Sequence, residues 1–211
     1  MHQSSDSGKL VSIQVAKPQA FNDEVGEWTT GFFKQPLSGS VFVSETNVEG
    51  DGQADLVHHG GVDKAVLAYA AGHYPSWETE LGVQMPNGAF GENLTIEDLD
   101  ERNVCVGDQW EIGSVVLEVS QPRQPCWKLS RRWNNKLLPK LVVSNGRTGW
   151  YFRVLQVGNI QPSVDVLLLE RPHPDWTIMR ANEVFYRGGS EEKTALAQVA
   201  KLSDAWKQEL A

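Results

Sequence analysis

The sequence has only two cysteines, Cys105 and Cys126, among 211 residues. Two cysteines outside a CxxC pair are too few for a disulfide framework, and free thiols are typical of a reducing compartment. No stretch approaches the roughly 20 apolar residues that a membrane-spanning helix requires. The first residues also lack the charged and then apolar segments that mark a secretory signal peptide. We therefore expect a cytoplasmic protein without a membrane span.

The sequence also lacks a surplus of basic residues. It carries 19 lysine and arginine residues against 27 aspartate and glutamate residues, which gives a formal net charge of −8. A nucleic-acid-binding domain usually presents a basic face, and no basic run indicates one here. A small anionic ligand is still compatible with this charge, because a few local basic residues are sufficient to bind it. The expected partner is a small molecule rather than a nucleic acid or a membrane.

The remaining composition is that of an ordinary globular protein. Hydrophobic residues make up 40% of the chain and charged residues 22%, and the length suits one domain with at most a small appendage. Up to about residue 170, short segments rich in β-branched residues predict a mainly β (α+β) fold. The predicted strands are residues 9–16, 40–44, 114–120, 147–157 and 164–169. Gly107-Asp108 and Gly113 fit a hairpin beside the third of these strands.

Helical spacing of apolar residues interrupts this β pattern. Residues 63–81 and 127–142 fit short helices, with a break near Pro139 in the second region. Farther along, residues 177–185 and 191–208 are predicted to be helical, and Ser190 is a candidate N-cap.

The end of the chain therefore differs in character from the rest, and the change follows Pro172 and Pro174. A helical tail of this length cannot bury a core of its own. We divide the chain into a β-rich domain, residues 1–170, and a small helical C-terminal domain, residues 171–211. The second domain is expected to pack on the first or on a partner.

Cys126 is the first candidate for chemistry. It follows a predicted strand in Gln-Pro-Arg-Gln-Pro-Cys-Trp, residues 121–127. Because proline cannot donate to a β-ladder, the strand is expected to leave the sheet near Ser120. Arg123 would favour the thiolate, which a soft metal or a nucleophilic mechanism requires. The alternative is a buried cysteine that acts as a small hydrophobic residue, and this is the prediction for Cys105.

The second candidate is the run His58-His59-Gly60-Gly61. Adjacent histidines on a strand point to opposite faces, so only one of them is expected to face a site. The glycines permit a positive φ and a close approach of the backbone to a ligand. Their N–H groups could form an anion-binding nest before a helix that begins at Val62. The alternative is a tight turn with an exposed histidine.

Further segments place polar groups beside glycine. Asn93, in Gly-Glu-Asn-Leu, lines either a pocket or a polar turn. Arg147, in Asn-Gly-Arg-Thr-Gly, suits phosphate binding or, alternatively, a hairpin turn with a surface arginine. Thr30 and Lys34 place a hydroxyl group and an ammonium group close together. The tryptophans at apolar positions are predicted to be core residues: Trp77, Trp127, Trp150 and Trp206.

The order of these segments along the chain resembles the MOSC domain superfamily. The matching motifs are TGFFK, GDGQAD, HGGVDKAV, FGENL, VGD and QPRQPCWKL, all between residues 30 and 129. Within the superfamily, the chain is most similar to the hydroxylaminopurine-resistance branch. Arg171 and Trp176-Thr177 resemble the start of the small three-helix domain that closes this branch, although the tail after Trp176 has little family signature. The resemblance covers nearly the whole chain.

This resemblance implies a β-barrel-like domain that binds the molybdenum cofactor, Mo-molybdopterin. It implies that Cys126 is the protein ligand of molybdenum. It also places His59 by the pocket, as a proton donor or a substrate anchor whose charge can change near neutral pH. Thr30, Arg123 and Arg147 are then expected to hold the pterin or its phosphate. The other residues predicted to bind the cofactor are Lys34, Gly60, Gly61 and Asn93.

The activity that the resemblance implies is the reduction of N-hydroxylated compounds, such as hydroxylaminopurine, to amines. Soft sulfur ligands bind molybdenum well, and the metal carries the two-electron chemistry. Because the sequence has no flavin, haem or nicotinamide motif, electrons are expected from a separate reductase or flavoprotein. Two alternatives stay open. One is a non-catalytic carrier of cofactor or sulfur that uses Cys126, and the other is a cysteine hydrolase that uses Cys126 and His59.

Overall fold

The computed structural model describes residues 6–211, apart from the side chains of Val57 and His58. The first five residues of the segment inspected for a signal peptide, and the His58 side chain, therefore lie outside the described part. The strands are β1 Ser7–Val15, β2 Gln19–Asp23, β3 Gly26–Thr30, β4 Gln35–Pro36, β5 Val41–Val43, β6 Val66–Ala70, β7 Leu94–Glu97, β8 Gln109–Ile112, β9 Val115–Pro122, β10 Trp150–Gln156, β11 Gly158–Ile160 and β12 Asp165–Glu170. The α-helices are α1 Leu56–His59, α2 Tyr74–Leu81, α3 Trp127–Arg132, α4 Leu138–Asn145, α5 Ile178–Arg187, α6 Ser190–Ala197 and α7 Asp204–Leu210, with short 3-10 turns at Val62–Lys64 and Ala71–His73.

Seven of these strands close into a barrel in the order β12-β8-β9-β10-β6-β7-β1, and β1 pairs with β12 to complete the ring. Neighbouring strands are antiparallel, except for the parallel pair β6 and β7. Successive side chains of a strand point to opposite faces, so every second side chain fills the inside of the barrel. Trp110 and Ile112 on β8 and Val166 on β12 are fully buried there. The remaining short strands form a hairpin of β2 with β3, a pair of β5 with β11, and an extension of β1 by β4. The mainly β, barrel-like fold is confirmed.

Two segments differ from the prediction in their secondary structure. Val66–Ala70 is a strand, whereas helical spacing had been assigned to this region; only Tyr74–Leu81 forms the helix. Every residue of this strand is buried, because β10 and β7 flank it on both edges, so it shows no alternation. The histidine pair is also not on a strand, since Leu56–His59 form a single helical turn.

Two prolines do not break secondary structure where the sequence had indicated. Pro122 is the last residue of strand β9, and Pro139 lies at the start of helix α4. Strand β9 continues past Ser120 to Pro122, which still pairs opposite Trp150. A proline at a strand end removes only one ladder hydrogen bond, so the prediction of an exit at Ser120 was wrong. Pro139 lies in the first turn of α4, where the missing N–H costs nothing, and the break lies before it.

The helical tail consists of three helices, as the family resemblance implied, whereas apolar spacing had indicated two. The segment 191–208 is interrupted between α6 and α7, where the Ser203 N–H donates to the Ser120 carbonyl of β9 at 2.9 Å. The residue that caps α6 is Gly189, and Ser190 is already helical. The break at Ser203 involves a tertiary contact that apolar spacing alone does not report, whereas the cap at Gly189 is local, since its N–H donates to Glu192 in the first turn.

The tail packs on the barrel and shares its core. Ile178, Leu196 and Trp206 are fully buried in the same hydrophobic cluster as the barrel residues Trp110 and Phe152. A shared core explains how so short a helical segment is stabilised. The boundary at residue 170 stays a prediction. Within residues 6–211, no helix combines the length and apolar character needed to cross a membrane.

Candidate functional site

A cleft opens where the end of β9 meets α1, the start of α3 and the loop before β7. Its walls contain six of the residues predicted from the sequence: Thr30, Lys34, His59, Asn93, Arg123 and Cys126. Residues that are far apart in the sequence therefore come together in one place. The neighbouring lining residues include Gln53, Lys64, Phe90, Lys128 and Tyr151.

Arg123 is the most informative residue of the cleft. Its backbone N–H donates to the Gly149 carbonyl at 3.0 Å, and its Nη2 donates to the Phe90 carbonyl at 3.0 Å. The side chain is almost fully buried, yet Nη1 has no hydrogen-bond partner among the described residues. A buried guanidinium donor without an acceptor is costly. The arrangement therefore fits a ligand that brings an acceptor, such as a phosphate, into the cleft.

A buried carboxylate holds the loop that presents the Phe90 carbonyl to Arg123. Glu92 accepts hydrogen bonds from the backbone N–H of Gly88 at 2.6 Å and of Phe90 at 3.1 Å. It also accepts from the hydroxyl groups of Thr95 and Tyr74. With so many donors, the buried carboxylate has its hydrogen bonds satisfied in the interior. The position of the Arg123 guanidinium thus depends on Glu92, to which the sequence analysis had given no role.

Cys126 lies on the cleft wall with an extended backbone immediately before α3, and its thiol is free and partly exposed. Cys105 is also free, but its surroundings differ. It is a free thiol only 2% exposed, and its Sγ donates to the Pro174 carbonyl at 3.6 Å. Burial, with a smaller contribution from the Asp108 charge, raises the pKa of the Cys105 thiol to about 12. The prediction that Cys105 is a core residue is confirmed.

His59 lies at the end of α1, where its backbone N–H donates to the Asp55 carbonyl at 3.1 Å. Burial lowers the pKa of its imidazole to about 4, and the positive charges of Lys128 and Arg123 act in the same direction. The ring is therefore neutral at pH 7, and not near its titration midpoint as the sequence analysis expected. The cations that produce this shift also make the cleft favourable to an anion.

Lys34 and Asn93 form a buried polar wall of the cleft around a carboxylate. The Lys34 ammonium contacts both oxygens of Asp51 at 2.5 Å, and Asn93 Nδ2 donates to the same carboxylate at 2.9 Å. Burial lowers the pKa of Lys34, while the Asp51 charge opposes this effect. The polar groups of both residues are thus engaged within the protein, and they shape the wall. Thr30 is similar, since its Oγ1 accepts from the Phe32 N–H at 3.0 Å.

Three predicted residues are not among those that line the cleft. Arg147 donates to Glu80 at 2.7 Å, and its guanidinium lies 5.0 Å from the Trp77 ring centroid, so its side chain is engaged outside the cleft. Gly60 and Gly61 form the turn after α1. Gly61 has a φ of 95°, which favours glycine, and a Cβ at Gly60 would lie 2.7 Å from the Leu56 carbonyl oxygen.

Four polar residues of the cleft were not predicted from the sequence: Gln53, Lys64, Lys128 and Tyr151. Tyr151 follows the fully buried Trp150 on β10, and strand alternation could have indicated that it faces the other side. Burial raises the pKa of the Tyr151 phenol to about 12. Lys128 lies two residues after Cys126, in the first turn of α3. Trp127 between them is 53% exposed, so its assignment to the core was wrong.

Comparison with known proteins places this cleft in a family. A family model described as the MOSC domain matches residues 55–166, which include His59, Arg123 and Cys126. The chain belongs to the MOSC domain family. The resemblance seen in the sequence motifs is thereby confirmed.

Similar MOSC-family proteins cover nearly the whole chain. The YflK protein of Bacillus subtilis is 42% identical over 201 residues, which are 94% of this chain and 90% of YflK. The crystal structure of YiiM from Geobacillus stearothermophilus superimposes with a TM-score of 0.82 at 35% identity, covering 97% of this chain and all of YiiM. A protein of Gibberella moniliformis named "Reductase" is 40% identical over 182 residues, 84% of this chain but only 32% of that protein.

Proposed function

We propose that this MOSC-family protein binds the molybdenum cofactor in the cleft and reduces N-hydroxylated compounds to amines, with Cys126 as the protein ligand of molybdenum. The observation that carries the proposal is the placement of the partly exposed Cys126 thiol in one cleft with the buried, partly unpaired guanidinium of Arg123. A relative named as a reductase supports the class of reaction.

The residues of the cleft fit such a cofactor chemically. A thiolate is a soft ligand, which molybdenum prefers. Arg123 Nη1 offers an unused donor for a phosphate oxygen. Lys64 and Lys128 add positive charge to the lining, which contains no carboxylate among its described residues. The donor set therefore suits a group that combines a soft metal centre with a phosphate.

Each residue then has a defined task. When bound, the cofactor would supply the two-electron chemistry that cleaves the N–O bond. Cys126 would hold the metal, and Arg123 would hold the phosphate. His59, neutral at pH 7, would hydrogen-bond the substrate through its ring N–H or ring nitrogen. Tyr151 stays protonated at neutral pH and offers an O–H donor on the same wall.

The proposed reaction needs electrons from outside the chain. We propose a separate electron-transfer protein, a reductase or flavoprotein, as the donor. The Gibberella relative is about three times as long as the segment that matches this chain, so a MOSC segment also occurs beside additional sequence in one polypeptide.

The proposal is tested by the reduction of benzamidoxime to benzamidine, with reduced methyl viologen as the artificial donor and protein from a host that makes the cofactor. We expect turnover by the wild type, none by Cys126→Ser, and nearly normal turnover by Cys105→Ser. Folding of each variant is checked by circular dichroism. Cofactor-loaded protein without turnover would favour the carrier, and equal turnover by Cys126→Ser would contradict the proposal.

A further inference from the structure

A second chamber adjoins the cleft on the side of the C-terminal helix. His59, Lys64, Cys126 and Tyr151 line both spaces, so the two are continuous at the thiol. The outer chamber adds Asp55, Gln121, Gln124, Pro125, Trp127 and Glu209 to its lining. Glu209 lies on α7, so the tail contributes directly to the space beside Cys126.

The two spaces differ in charge. The lining of the inner cleft contains the cations Lys64, Arg123 and Lys128, and no carboxylate among its described residues; its fourth cation, Lys34, is already paired with the buried Asp51. The lining of the outer chamber contains Lys64 against the carboxylates of Asp55 and Glu209. Since these spaces meet at Cys126, an anionic group is favoured on one side of the thiol and a cationic or N–H-rich group on the other.

Helix α7 is fixed in the position that this chamber requires. At its start, the buried Ser203 hydroxyl donates to Gln121 Oε1 at 2.8 Å, and Ser203 Oγ accepts from the Trp206 N–H at 3.3 Å. Trp206 is fully buried in the shared core. Near its end, Glu209 accepts a hydrogen bond from Gln124 Nε2 at 3.0 Å. This contact links the helix to the loop that carries Cys126.

The remaining wall suits a planar group. Trp127 is exposed over about half of its surface, 53%, and lines the outer chamber. The Arg131 guanidinium carbon lies 5.5 Å from the Trp127 ring centroid, and the Trp28 ring centroid lies 5.6 Å from it, so the exposed part of the indole offers a planar ligand apolar contact. A carboxylate accepts paired N–H donors from an amidinium in a fork, and Glu209 keeps acceptor capacity beyond its bond with Gln124.

We infer that the outer chamber is the substrate subsite and that Glu209 is a specificity-determining residue, which selects planar compounds with amidine-like N–H donors over anionic ones. The inference rests on the proposed function, because it assigns the substrate side of the same site. It gives the C-terminal helix a role in recognition in addition to its role in the core.

The test is equilibrium binding of benzamidine, benzamide and benzoate, measured by calorimetry on the protein as isolated from a cofactor-producing host. These ligands share a ring and differ in charge. We expect benzamidine to bind most tightly and benzoate most weakly. Glu209→Gln should weaken benzamidine binding about tenfold, the scale of one charge-assisted hydrogen bond, and leave benzamide within a factor of about two.

Glu191→Gln is the matched control, because Glu191 is an exposed carboxylate on α6 that lines neither space. It should leave all three affinities unchanged. In the reduction assay, Glu209→Gln should raise KM for benzamidoxime and keep kcat, whereas a purely structural role would lower stability in circular dichroism melts.

The inference is overturned if the wild type does not bind benzamidine, if it binds benzoate as tightly, or if Glu209→Gln binds benzamidine like the wild type. Benzamidine binding requires no turnover. A protein that loses this binding in Glu209→Gln but reduces nothing would therefore support the subsite and refute the proposed reaction. If the wild type reduces benzamidoxime, but the wild type and Glu209→Gln bind benzamidine equally, the proposed reaction is supported and the subsite is refuted.

Discussion

At the scale of single residues, the two arginines of the predicted cofactor set have different surroundings. Arg123 is 3% exposed with an unpaired Nη1, while Arg147 pairs with Glu80 outside the cleft. The family resemblance gave both arginines the same expected role, which is to hold the pterin or its phosphate. Only the fold, which places Gly149 and Phe90 as acceptors beside Arg123, separates the two.

This difference predicts the outcome of two conservative substitutions. Arg123→Lys keeps the charge but loses the planar fork, so it should lower retention of the molybdenum cofactor about tenfold, the scale of one charged hydrogen bond. Arg147→Lys should leave retention unchanged. The measurement is the molybdenum and pterin content of purified protein after dialysis. An equal loss in both variants would contradict the assignment.

The two thiols should also differ in reactivity toward iodoacetamide. Burial holds the pKa of Cys105 at about 12, so about one molecule in ten thousand carries the thiolate at pH 8. Cys126 is partly exposed. We expect mass spectrometry of cofactor-free protein at pH 8 to show labelling at Cys126 alone, and at both sites after unfolding in guanidinium chloride. Native labelling of Cys105 at a comparable rate would contradict the burial.

At the scale of elements, alternation and turn residues predicted four of the seven barrel strands, β1, β9, β10 and β12, because half-buried strands such as β12 leave a periodic pattern. The short strands β7 and β8 were not among those predicted. The strand Val66–Ala70 left no such pattern, since it is buried throughout. The split between α6 and α7 was not found from apolar spacing either. Ser203, which caps α7, is a local signal of a helix start, but its hydrogen bond to β9 depends on the fold.

The start of α7 provides a prediction about this tertiary contact. Ser203→Ala removes the cap of α7 and leaves Gln121 Oε1 without its donor inside the protein. We expect the free energy of unfolding to fall by about 2 kcal/mol, the combined scale of a cap and a buried hydrogen bond. Ser190→Ala, at an exposed position in α6, should change it by less than about 0.5 kcal/mol. Urea unfolding measures both, and equal effects would argue against the contact.

At the scale of the whole molecule, the barrel and the tail share one hydrophobic cluster. The sequence predicted a tail that needs a neighbour, because its length cannot enclose a core. It did not predict that the tail also supplies Glu209 to the space beside Cys126, since this depends on how α7 crosses the loop at Gln124.

A shared core predicts cooperative unfolding of the two predicted domains. Thermal unfolding should give one transition, with the same midpoint by tryptophan fluorescence and by far-ultraviolet circular dichroism. Trp206→Ala should reduce the free energy of unfolding by about 3–5 kcal/mol and so lower the midpoint of the entire transition. A separate early transition of the helices, with the barrel midpoint unchanged, would show instead that residues 171–211 unfold independently.

The central claim is that Cys126 holds molybdenum in this cleft. Its most direct test is the molybdenum content of protein from a cofactor-producing host, with the wild type, Cys126→Ala and Cys105→Ala measured side by side. The account predicts near-stoichiometric metal in the wild type and in Cys105→Ala, which should lose only about 1 kcal/mol of stability, and little or none in Cys126→Ala. Equal metal in folded Cys126→Ala and wild type, or none in folded wild type, would contradict it.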